Sequence, residues 1–135
     1  MITQTTKPSR FVLVRMGPGD DLLQTLDEAI KREELGNGII FGGVGSLSQY
    51  RVHVVKSTDM PPGDVFFDNK GPWDILCMNG LIIDGRLHAH ITLSNNETAI
   101  GGHLEEGCKV LTFCSVMIAQ TPMADYADWD KPGPI

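Results

Sequence analysis

Three of the chain's four histidines fall in one short segment, HAHITLSNNETAIGGH, at positions 88–103. A single alanine separates His88 from His90. On a strand that i,i+2 spacing puts both side chains on one face, with Cα atoms roughly 6.5–7 Å apart. Two imidazoles so placed can aim at one point, and zinc or a related divalent ion accepts their nitrogens at about 2.0–2.1 Å. His103 follows Gly101 and Gly102, which let backbone approach closely, so it can supply a third ligand. Three histidines with an open fourth position suit hydrolytic or lyase chemistry on a small molecule. The plainer reading is an H-x-H on a half-exposed strand whose imidazoles simply hydrogen-bond their neighbours. It is the third histidine that favours a metal.

Acid/base partners for such a site would be carboxylates. Glu105 and Glu106, in HLEEG, are nearest in sequence, and Asp74 is a further candidate. Their plain reading is solvated acids on a turn. His53, on YRVHVV, has no comparable company and reads as a structural or surface histidine. Bare imidazoles suit zinc, copper, iron and nickel alike, and zinc is the first expectation. The glycines of GGVGSLS satisfy neither phosphate-loop pattern, and no helix signal follows them, so they do not point to nucleotide binding.

The elements that must position these residues can be read along the chain. RFVLVRM (10–16) is apolar at nearly every position, as in a strand covered on both faces. Asp21 followed by Gln24 fits a capping box, and acids at the helix start suit its dipole. Leu22, Leu26, Ala29 and Ile30 continue at helical spacing, and the helix should stop near LGNG, with Gly36 or Asn37 left-handed. GIIFGGVGSLSQYRVHVV reads as a strand from 38 to about 44, a bend at GS, and a second strand from 49 to 56. A loop follows, with a short paired stretch at 65–67. Asp84-Gly85 between apolar runs signals a hairpin joining strands 73–83 and 86–94. The last strand spans 108–120, and a proline-ended tail beyond it can dock through Tyr126 and Trp129. One helix against a mostly antiparallel β-sheet is an α+β fold.

At 135 residues the chain makes one domain. Its 41% hydrophobic and 21% charged residues fit an ordinary globular protein that needs no disulfide to fold. Cys77, Cys108 and Cys114 lack metal spacing and read as buried thiols in a reducing compartment. No apolar run approaches the roughly 20 residues of a membrane helix, and the N-terminus lacks a secretory pattern, so a cytoplasmic location is expected. The net charge of −6, with scattered basic residues, argues against direct, sequence-independent DNA binding.

Taken in order, GDDLLQTLDEAI, GVGSLSQYRV, GPWDILCMNGLI, LHAHITLS and GGHLEEGCKVLTFCSVMI resemble the plant-and-prokaryote conserved domain (PPC, or DUF296) over about residues 10–120. The resemblance implies an antiparallel sheet flanked by a helix, assembling as a homotrimer. It also implies metal binding in some prokaryotic members, which lands on His88, His90 and His103. In plants the domain follows an AT-hook and acts in nuclear regulators of AT-rich DNA. Here only TTKPSR precedes the domain, which is no hook. The family's Gly-Arg-Phe-Glu-Ile-Leu segment stands as GPWDIL (71–76), with Pro72 in place of the arginine. The leading expectation is therefore a bare, homotrimeric, cytoplasmic domain with a three-histidine divalent metal site that binds or processes a small molecule. The alternative is a DNA-associated regulatory or protein-interaction module without catalysis.

Overall fold

The computed structural model describes residues 1–133. In chain order they form β1 (Arg10–Met16), α1 (Leu22–Arg32), β2 (Gly38–Val55), β3 (Asp64–Ile83), β4 (Arg86–Ser94), β5 (Ala99–Leu104) and β6 (Lys109–Gln120). The sheet runs β1-β6-β2-β3-β4-β5 with every neighbour antiparallel. The far end of β2 also pairs with β5, setting Val52 opposite Leu104 and His53 opposite His103. Strands β2, β3, β4 and β5 thereby close into a ring. This is the α+β architecture the sequence predicts, with α1 packed on one face of the sheet.

Asp21 is the N-cap of α1 and accepts from the Gln24 amide at 3.2 Å. Its other carboxylate oxygen accepts from the Gly107 amide at 2.8 Å and lies 3.4 Å from Lys109 Nζ. The cap therefore also ties the helix start to the turn between β5 and β6. The expected acids flank the helix rather than occupy its first turn. Leu22, Leu26 and Ile30 are fully buried at four-residue spacing, each stabilising the fold by about 1.5–3 kcal/mol. At the other end Glu34, not Gly36 or Asn37, takes the left-handed conformation (φ 52°). The Leu35 amide then donates to Ile30 O at 2.9 Å and the Glu34 amide to Lys31 O at 3.2 Å, the paired bonds of a Schellman motif.

The hairpin between β3 and β4 turns at Asp84-Gly85, both with positive φ (49° and 76°), and pairs Ile83 with Arg86 as expected. Strand β1 is covered on one face rather than both, leaving Phe11 and Leu13 exposed, and two strand boundaries are corrected as well. β2 does not break at GS; it runs unbroken for 18 residues and absorbs the bend in register shifts against β6. Gly45 makes this possible, since a Cβ there would lie 2.1 Å from Phe113 O and its φ is +148°. Likewise, the paired stretch near 65–67 and the strand at 73–83 are one strand, β3, of 20 residues. Cys108 and Cys114 are buried as predicted, whereas Cys77 is exposed.

One core joins α1 to the inner face of the sheet through residues such as Met78, Ile91, Leu93, Val116 and Ile118. The tail docks by burying Ala124 and Tyr126 against Ile83, with Leu81 and Trp129 at the margin. On the opposite face, Phe11 and Leu13 (β1), Phe41 and Val44 (β2), Leu76 (β3) and Phe113 (β6) stand exposed. No helix is long and apolar enough to cross a membrane among the described residues.

Candidate metal centre

Strand alternation places His88 and His90 together. Ala89, Ile91 and Leu93 point into the core, which turns the two histidines of β4 to the outer face. β5 then brings in His103, whose register partner is His90 on one side and His53 of β2 on the other. The double glycine before His103 is what seats β5 there. A Cβ at Gly102 would lie 2.5 Å from His53 O, so no other residue lets the two backbones approach this closely.

All four histidines of the chain consequently meet. Ring centroids are 4.8 Å apart for His88 and His103, 5.5 Å for His88 and His90, and 5.7 Å for His90 and His103. His53 stacks on His103 at 4.5 Å. The rings, with Val54 and Val55, line an open depression of about 390 Å³.

Carboxylates surround this group. Glu105 Oε1 lies 2.7 Å from His53 Nδ1 and 3.3 Å from His103 Nδ1. Asp64 Oδ1 is 3.6 Å from His53 Nε2, and Asp130 Oδ2 is 3.5 Å from His88 Nδ1. The Nδ1 of His103 is buried and makes no hydrogen bond, because Glu105 approaches it off the bonding direction. Burial lowers the pKa of His90, aided by its neighbours His88 and His53. Burial likewise lowers that of His103, with His53, His88 and His90 adding to the effect and Glu105 opposing it. Both rings are thus biased towards the neutral form that ligates metals. Burial works against ionisation of Asp130, but Arg86 and His88 outweigh it and leave its pKa below the usual carboxylate value.

Of the acids named from sequence, only Glu105 joins the histidines. Glu106 is exposed and faces Asp27 of α1, whose pKa it helps raise after burial. Asp74 pairs with Ser46 and Ser94, five residues along β3 from Asn79, the partner of His90. That is roughly 16 Å away. Sequence reasoning set His53 apart and did not single out Asp64 or Asp130. Strand pairing brings in His53 and Asp64, and docking of the tail brings in Asp130; only for His53 did a sequence signal exist, as a histidine on a strand.

The donor set can be tested against an ion. Three imidazoles on one tetrahedral ion, with metal–nitrogen bonds of about 2.05 Å, place their ring centroids about 5.2 Å apart. The spacings of His88, His90 and His103 bracket that value. A second set is already tighter: among the described residues, His53, His103 and Glu105 offer ligand atoms that all lie within 4.8 Å of one another. Nitrogen and carboxylate oxygen with an orphaned buried ring nitrogen at the centre fit a divalent cation.

The Plants and Prokaryotes Conserved (PCC) domain model matches residues 3–122. The chain belongs to this family. Its PCC domain is similar to a stretch of the bifunctional protein GlmU of Synechococcus sp. (strain JA-2-3B'a(2-13)), at 30% identity over 122 residues. That match covers 90% of the chain but only 18% of the relative, so the chain spans less than a fifth of the curated relatives it matches. Among solved structures, the metal-containing protein AF0104 of Archaeoglobus fulgidus superposes with a TM-score of 0.78 at 19% identity, covering 90% of this chain and 86% of that one. A plant- and prokaryote-conserved protein of Pyrococcus horikoshii gives 0.77 at 23% identity, covering 93% and 87%. These likenesses fix the PCC fold.

Proposed function

We infer that the histidine face of this PCC domain is a divalent metal site, with zinc as the first candidate, at which a small molecule is bound or processed. The observation that carries the reading is the convergence of four histidines from three strands, with a carboxylate oxygen 2.7–3.5 Å from Nδ1 of three of them. His88, His90 and His103 would hold the ion through Nε2. That the archaeal neighbour AF0104 is a metal-containing protein supports the reading.

Bound there, the ion would supply Lewis-acid polarisation of a carbonyl or carboxylate oxygen. The chain's own residues do the rest. Glu105 accepts from His53 Nδ1 and lies beside His103, so it holds the His53 ring and can take or return a proton through it. Val54 and Val55 line one side of the depression.

A second ligand set is favoured by the tighter grouping of His53, His103 and Glu105. Both sets share His103, and they separate on His90 and His53. Elemental mass spectrometry of untagged protein tests the reading. About one equivalent of metal per chain is expected, lost in His88→Ala/His90→Ala. Retention in that variant with loss in His53→Ala would move the ion to the second set. No metal in wild type, even after incubation with zinc, would remove the site.

The homotrimer belongs to the same proposal. The exposed face of Phe11, Leu13, Phe41, Val44, Leu76 and Phe113 crosses four strands, and a contiguous apolar surface of that kind favours self-association.

A further inference from the structure

The tail beyond the family match sends one side chain into the histidine face. We propose that Asp130 is a positioning residue for His88, fixing its tautomer so that Nε2 faces the metal; this rests on the metal reading above.

Residues 123–133 lie outside the 3–122 span of the PCC domain. Nevertheless they are not loosely attached. Tyr126 is buried and its hydroxyl lies 3.0 Å from Thr121 Oγ1. Asn37 Nδ2 donates to Ala124 O at 2.8 Å, and the Trp129 amide donates to Tyr126 O at 3.0 Å. Trp129 packs on Tyr126 with ring centroids 5.3 Å apart. These contacts fix the backbone one residue before Asp130.

Arg86 then fixes the side chain. It stands two residues before His88 on β4, hence on the same face, and its guanidinium donates to both oxygens of Asp130 at 3.4 and 3.2 Å. The carboxylate is thereby presented to His88 Nδ1 at 3.5 Å and is itself only 12% exposed. A carboxylate at Nδ1 stabilises the tautomer that carries its proton there, leaving the Nε2 lone pair for a metal. At His103 a carboxylate oxygen of Glu105 also lies 3.3 Å from Nδ1, but there the two groups make no hydrogen bond. The His88 acid comes from outside the family domain. On this inference metal affinity is set partly by a segment the domain itself does not carry.

The test compares wild type, Asp130→Ala and Asp130→Asn by zinc titration against a chromophoric chelator, with long-range ¹H–¹⁵N NMR of His88 in the metal-free protein. Wild type should show the Nδ1-protonated tautomer. Asp130→Ala should populate the other tautomer and bind zinc about 10–100-fold more weakly. Asp130→Asn, which keeps an acceptor but no charge, should fall between. The Trp129 indole resonance in the same NMR spectra checks that the tail stays docked. Wild type that binds zinc while both variants match it in affinity and His88 tautomer would overturn the role of Asp130 alone. Failure of all three proteins to bind zinc would instead overturn the metal reading, and this inference with it.

Discussion

His90→Ala separates the two ligand sets and yields a number. His90 keeps much of its surface exposed although its ring is partly desolvated, so truncating it removes little packing and should change metal-free stability by no more than about 0.5 kcal/mol. Its effect on metal-dependent stability is far larger. Zinc at one hundred times its dissociation constant stabilises the folded state by about 2.7 kcal/mol. Unfolding 135 residues at roughly 2.1 cal/mol/K each carries an entropy near 0.28 kcal/mol/K. Wild type should therefore gain about 10 °C in Tm on adding zinc, while its chelated form and chelated His90→Ala agree within about 2 °C. The variant should gain almost nothing at that zinc concentration. Scanning calorimetry with and without chelator reads both quantities. A variant that keeps the full rise would refute His90 as a ligand, and loss of the rise in His53→Ala would then assign the ion to His53, His103 and Glu105. A wild type that gains nothing would refute the site.

Acidification should destabilise the metal-free protein in a defined window. The pKa values of His90 and His103 are lowered by folding, so the unfolded chain takes up protons first as pH falls through about 6.5. Stability should drop from there and level off below the folded-state values; urea midpoints that stay flat between pH 7 and 5 would contradict it. Asp130 acts in a lower window, since its depressed pKa contributes stability above about 3.9 that is lost as pH falls through the folded value. Thiol labelling at pH 8 should modify Cys77 alone in the folded protein, because burial raises both Cys108 and Cys114 to about 11; rapid labelling of all three would be inconsistent with this packing. Leu13→Asp/Phe41→Asp should convert a trimer to monomers by light scattering without loss of helix signal, and an unchanged mass would exclude this face as the interface.

What the sequence made legible follows from the range of the interactions involved. Asp21, Leu22, Leu26 and Ile30 define α1 within one stretch, and Asp84-Gly85 defines a turn whose conformation few other residues take. Both signals are local, and both elements fall where the spacing puts them. The continuity of β2 was not legible. Gly42, Gly43 and Gly45 weaken a strand by propensity, yet pairing with β6, and at Gly45 with β3 as well, holds them extended, and the bend appears as register shifts. Glu34 is a similar case. A left-handed position favours glycine, but the carbonyls of Ile30 and Lys31 needed partners at that residue, two before Gly36.

The same distinction explains the site. His88 and His90 share a face because of i,i+2 spacing, which a sequence displays directly. His53 reaches them through the pairing of β2 with β5, across 50 residues of chain, and that pairing depends on Gly102 tolerating His53 O where a Cβ would stand 2.5 Å away. The glycine before His103 was visible as permission for close approach; the strand that approaches was not. Once β2 and β4 flank β5, His103 becomes the centre of the group, the one histidine in register with two others and the one with a buried unpaired nitrogen. Substituting Gly102 should therefore damage the site more than any change to the exposed acids Glu106 or Asp74. It would push β5 off β2 and separate His53 from His103, while leaving the H-x-H of β4 intact on its own strand.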